Sequence, residues 1–158
     1  MGYALRKIFV LLIISVLLVG CNNSGNDFGN KIIKTIDGKC EKGGSCTFKM
    51  SDITDFRWDK LVVYGLGSSQ KEISRALGVR YKDSVDMTSG MVFVYKGKIV
   101  KKLKMTYNPD YPGRPSKLSI SNRNKPNAPT FRLITKGSDT FLGIKEEIGG
   151  VYYYNLEL

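Results

Sequence analysis

Histidine is missing from the whole chain of 158 residues. Its absence removes the Ser-His-Asp and Cys-His nucleophile systems as usually built, and with them the commonest metal ligand. Cysteine is scarce: Cys21, Cys40 and Cys46 are all there is. Five residues separate Cys40 from Cys46, where a redox Cys-x-x-Cys motif has two. No metal site and no cofactor are therefore expected. No apolar run reaches the roughly twenty residues that a membrane-spanning helix needs. Acidic residues almost vanish between positions 96 and 136, where Asp110 stands alone.

What is present at the amino end has a definite pattern. Arg6 and Lys7 precede residues 8–19, an uncharged run of twelve broken only by Ser15. A short positive segment before an apolar run of that length fits a secretory signal peptide. The run ends in Leu18-Val19-Gly20-Cys21, which resembles the lipobox of bacterial lipoproteins. The resemblance implies that a diacylglycerol joins the Cys21 thiol and that the chain is cut before Cys21. The new amine is then acylated as well. Met1-Gly2 does not suit N-myristoylation, because Arg6 stands where Ser or Thr is wanted. In enteric-type lipoproteins an Asp after the lipidated cysteine favours the inner membrane. Asn22 occupies that position, so the resemblance implies the outer membrane, facing the periplasm.

Three parts are expected: a signal peptide at 1–20, a flexible polar tether at 21–30, and one globular domain at 31–158. The Asn-, Gly- and Ser-rich composition of 22–30 suggests the tether. Removing residues 1–20 leaves 23 basic and 14 acidic residues, a net charge of +9. In the oxidising space outside the inner membrane, Cys40 and Cys46 are expected to form a disulfide across a loop containing Gly43 and Gly44.

The fold class expected is α+β: a mainly antiparallel sheet with one short helix at about 68–78. Residues 31–36 read as a first strand, with 47–50 as its partner, and 60–64 as another strand. Ser69 and Glu72 form a capping-box pattern, Ile73, Ala76 and Leu77 share a helical face, and Gly78 ends it. Residues 91–95 and 99–107 flank Lys96-Gly97-Lys98 as a hairpin. Residues 131–135 and 140–145 read as a second hairpin around 136–139, and 151–158 as a last strand. Proline-marked loops are expected at 108–116 and 122–129.

The segment Phe56-Arg57-Trp58-Asp59-Lys60, followed by Ser69-Gln70-Lys71-Glu72-Ile73 and Leu77-Gly78, resembles a pattern in small bacterial lipoproteins. An aromatic-x-Trp-Asp-Lys strand there leads into a short Ser-capped helix, and some lipoproteins of this general kind are immunity proteins against antibacterial toxins. The resemblance spans about 25 residues and implies a shared fold unit. Trp58 suits either core packing or, with Asp59 and Lys60, a partner-binding face.

Charge offers the other clue. Eleven Lys and Arg between 96 and 136 oppose one acid. They read as a solvated surface or as a docking face for an acidic partner. Lys101, Lys102, Lys104, Arg114, Arg123 and Arg132 are the candidate contacts. Asp52, Asp55 and Asp59 are the densest carboxylates and the residual basis for a hydrolase reading. The function expected is a non-catalytic, membrane-anchored binding protein of the cell envelope, of the immunity type if its partner is an acidic toxin. Anionic lipid or lipopolysaccharide is the alternative partner, in a structural role. Nucleic acid is not expected as a partner in that compartment.

Overall fold

A computed structural model of the chain describes residues 24–106, 117–121 and 131–157. The signal segment, Cys21, Arg114, Arg123 and both proline-marked loops lie outside the described residues. The fold is α+β; the described residues form two four-stranded, mainly antiparallel sheets and three helices.

The first element overturns an expectation. Ser24–Lys39 is a helix, α1, where a tether and then a strand were expected. Its composition argues against a helix, since glycines 25, 29 and 38 each cost about 1 kcal/mol relative to alanine. Burial outweighs them. Phe28, Ile32 and Ile36 stand four residues apart on one face and are at most 2% exposed. Each such side chain contributes about 1.5–3 kcal/mol relative to exposure. The four-residue period decides the conformation, and the β-prone isoleucines follow it.

The disulfide between Cys40 and Cys46 is formed. It ties the end of α1 to β1 (Ser45–Lys49). A four-residue helix, α2 (Met50–Ile53), follows. Next come β2 (Lys60–Tyr64), α3 (Gln70–Leu77), β3 (Thr88–Tyr95) and β4 (Lys98–Thr106). The remaining strands are β5 (Leu118–Ser121), β6 (Phe131–Thr135), β7 (Thr140–Ile148) and β8 (Val151–Glu157). Helix α3 has the expected capping box between Ser69 and Glu72, and Gly78 ends it in the left-handed conformation. The β3–β4 hairpin turns on Lys96 and Gly97, both with positive φ. That is the backbone combination a tight two-residue hairpin turn requires.

One sheet runs β1-β7-β8-β5, the other β4-β3-β2-β6. The second hairpin expected is therefore absent, since β6 pairs with β2 and β7 with β1 and β8. Residues 136–139 carry the chain from one sheet to the other. Asp139, 2% exposed, holds that corner. Its carbonyl accepts from the Met50 amide at 2.9 Å and its carboxylate from the Ser51 amide at 2.8 Å. Strand β1 likewise pairs with β7, and residues 31–36 are not its partner.

The main core lies between the sheets, and α1 fills it. The first turns of α1 rest on β4: a Cβ added at Gly29 would stand 3.4 Å from the Leu103 side chain and 4.0 Å from that of Leu118. Phe28 meets Phe93 edge to face, with centroids 5.3 Å apart. The later turns rest on β7, where Gly143 faces Ile36 so closely that a Cβ would lie 2.8 Å from its Cγ1. A second, smaller core forms where α3 covers the other face of the β4-β3-β2-β6 sheet. It contains Val62, Tyr64, Ile73, Leu77, Tyr81, Val92 and Val94.

Candidate functional site

Residues 56–60 form a joint. Trp58 is 1% exposed, so it is removed from the docking face. Its ring stands edge-on to Phe93 at 5.6 Å, and its Nε1 donates to Thr54 Oγ1 at 3.1 Å. Phe56 approaches the same Phe93 ring at 5.1 Å. Asp59 accepts from the Lys96 amide at 2.8 Å and so fastens the β3–β4 turn. Lys60 places its Nζ 3.5 Å from the Leu77 carbonyl oxygen, at the end of α3. A cation there complements the negative end of the helix dipole. The aromatic-x-Trp-Asp-Lys pattern thus connects β2 to three other parts of the domain.

The other candidate carboxylates are spread apart in their contacts. Asp55 pairs with Lys31 of α1 at 2.5 Å. The Lys31 ammonium holds its carboxyl below the ordinary range, with the Lys101 charge adding to the effect. Asp52 is exposed in the first turn of α2. Among the described residues, no group of three or more Cys or acidic side chains is placed to hold a metal ion.

The described cations do not gather on one sheet face. In β4, Lys101 stands opposite Phe93 and Lys102 opposite Val92. Successive residues of a strand point to opposite faces. Lys101 therefore faces the α1 layer, and Lys102 faces the α3 layer, where it pairs with Asp83 at 2.6 Å. Arg132 is exposed on β6, at the far end of the strand order from β4. What stays together is Lys98, Lys101, Lys102 and Lys104 on one edge strand.

A third cluster gave no sequence signal. Asp37, in the last turns of α1, lies 2.7 Å from Lys145 Nζ and accepts from the Tyr154 hydroxyl at 2.8 Å. Those two donors hold the Asp37 carboxyl below its ordinary value. Burial first, then the Asp37 carboxylate, pushes the Tyr154 hydroxyl up to about 12. The cluster clamps α1 to β7 and β8. Its partners are 108 and 117 residues apart in sequence, beyond any local motif.

A shallow, open depression lies between the start of α3 and residues 84–86, lined by Ser69, Gln70, Lys71, Ser84 and Asp86 among others. The α3 amino end beside it is already closed by Ser69 and Glu72. Among the described residues, no helix is long and apolar enough to cross a membrane. No protein-family model matches the chain, and no curated protein or solved structure shows significant similarity to it.

Proposed function

We propose that the chain is a lipid-anchored protein of the bacterial cell envelope, cut before Cys21 and acylated there, whose domain acts by binding. One observation carries this reading beyond the sequence pattern. Cys21 stands three residues before Ser24, where α1 begins, and seven before Phe28, the first buried side chain. Three residues reach at most about 11 Å. A lipid on Cys21 would therefore hold the folded domain close against its membrane, which suits a protein that works at that surface. Asn22 directs the proposal to the outer membrane.

Binding is preferred to catalysis because two of the three candidate carboxylates already have structural duties. Asp55 answers Lys31, and Asp59 holds the Lys96 amide. The immunity reading asked for a single basic docking face. Arg132 stands at the far end of the β4-β3-β2-β6 sheet from the lysines of β4, so anchored binding is proposed here and no toxin is named.

The test is metabolic labelling with palmitate followed by membrane fractionation. The parent chain should take up label and sediment with the membranes. Cys21→Ser should lose the label and leave the membrane fraction. A Cys21→Ser chain that remained firmly in that fraction after cleavage would overturn the proposal.

A further inference from the structure

We infer that the β4 edge is the surface on which the domain meets its own membrane, with its lysines on the phosphate-bearing headgroups of anionic phospholipid. The inference rests on the proposed anchor at Cys21 and adds the orientation of the domain above it.

Two independent features meet at this edge. The first is where the chain leaves the fold. The first turns of α1 rest on β4, through Gly29 on Leu103, and beside it, through Phe28 on Phe93 of β3. The end of α1 nearest Cys21 is thus also the end nearest β4. The second feature is charge. Strand β4 carries Lys98, Lys101, Lys102 and Lys104 and no acid. It is the terminal strand of its sheet, so no described strand covers its outer edge. Side chains of an edge strand point to both sheet faces, and both rows border the same edge. A flat surface approaching edge-on meets Lys101 from one row and Lys102 and Lys104 from the other. Lys98 and Lys104 are exposed. Val100, 41% exposed, lies within the lysine row beside the β-bulge at Phe93 and Val94.

Distance makes the charge effective. Attraction of a lysine to an anionic leaflet fades over a Debye length, about 8 Å at physiological salt. A nine-residue tether would let the domain drift roughly 30 Å out, beyond that range. Even at full stretch the three residues before α1 keep this end of the domain within about 11 Å of the lipid, little more than one Debye length. Asp55 and Asp83 oppose part of the charge by pairing with Lys31 and Lys102. Among the described residues no acid pairs with Lys98 or Lys104, and these are the lysines offered to the headgroups. Lysines on an edge strand also discourage edge-to-edge pairing between chains, but that role is indifferent to lipid composition.

Lysine footprinting of the full-length lipidated protein separates these roles. The protein is reconstituted in phosphatidylcholine vesicles with or without phosphatidylglycerol, floated, acetylated briefly and mapped by mass spectrometry. Lys98 and Lys104 should react about fivefold more slowly in the anionic vesicles. Lys49 and Lys136, exposed on β1 and after β6, should be unchanged, and high salt should abolish the difference. Protein that floats but shows equal edge labelling in both vesicles overturns this inference and leaves the anchor standing. Protection centred on Lys49 or Lys136, or protection independent of phosphatidylglycerol, overturns it too. Protein that fails to float refutes the anchor itself.

Discussion

Gly143→Ala tests the seat of α1 with a single methyl group. The new Cβ would lie 2.8 Å from Ile36 Cγ1, 3.3 Å from Ile36 Cδ1 and 3.2 Å from Phe48 Cε1. Carbon atoms rest at about 3.5–4.0 Å, so Ile36 must retreat by roughly 0.7 Å. It has little freedom to do so. Ile36 is fully buried, Asp37 beside it is clamped by Lys145 and Tyr154, and Cys40 one turn on is disulfide-bonded. Over-packing a constrained core costs typically 1–3 kcal/mol, and the upper part of that range, about 2–3 kcal/mol, is expected here. For a domain of this size the melting temperature should fall by about 10 °C. Trp58, the only tryptophan, is buried against Phe93 and reports unfolding by its fluorescence. Ile36→Ala supplies the control. Alone it should cost about 2–5 kcal/mol through the cavity it leaves. In that background the methyl added at position 143 has space, so the double variant should be about 2 kcal/mol more stable than the sum of the single changes predicts. A Gly143→Ala protein as stable as the parent, or strictly additive costs, would refute this placement of α1 on β7.

The Cys40–Cys46 bond closes a loop of about seven residues, for which chain entropy gives about 2 kcal/mol. Replacing both cysteines by serine should lower stability by that amount in denaturant titration, and reductant should then have no further effect; an unchanged midpoint would argue against the bond. Asp139 gives a pH dependence. Burial alone would raise its carboxyl, but hydrogen bonding from Ser51, its side chain first and its amide next, together with the Asp139 and Gly137 amides, holds it below the ordinary 3.8. A depressed carboxyl contributes stability above its unfolded value, and that contribution is lost as pH falls through the lower folded value. Asp139→Asn should therefore cost about 1–2 kcal/mol at neutral pH, with parent and variant converging below pH 3.8. A gap that persisted or widened in acid would contradict the assignment.

Local chemistry was legible in the sequence where it acts over a few residues. The Ser69–Glu72 box, Gly78, the Lys96-Gly97 turn and the short cysteine loop each depend on neighbours, and each stands as read. Helix α1 was hidden because its glycines and asparagines resemble a linker, while the spacing of Phe28, Ile32 and Ile36 has meaning only against strands far along the chain. The strands β6 and β7 look like a hairpin because a four-residue connection between two β-prone runs reads the same whether or not it changes sheet. The buried Asp139 was the overlooked sign that it does. Of the two readings of Trp58, core packing is the one the structure shows; the sequence left both open because a lone aromatic says nothing of exposure. The lysines scattered across two faces because strand alternation, invisible in a charge count, separates Lys101 from Lys102.

The position of α1 in the chain also sets a schedule. It is the first of the described elements to emerge during synthesis, yet its clamp residues Lys145 and Tyr154 come 108 and 117 residues after Asp37. Contacts so distant in sequence close late. A chain delivered amino end first can seat Phe28 against Phe93 early, but must carry Ile36 uncovered until β7 has followed. The carboxy-terminal strands thus finish the domain, and a chain stopped before β8 would leave its leading helix with half a seat, open to proteases and to other unfinished chains.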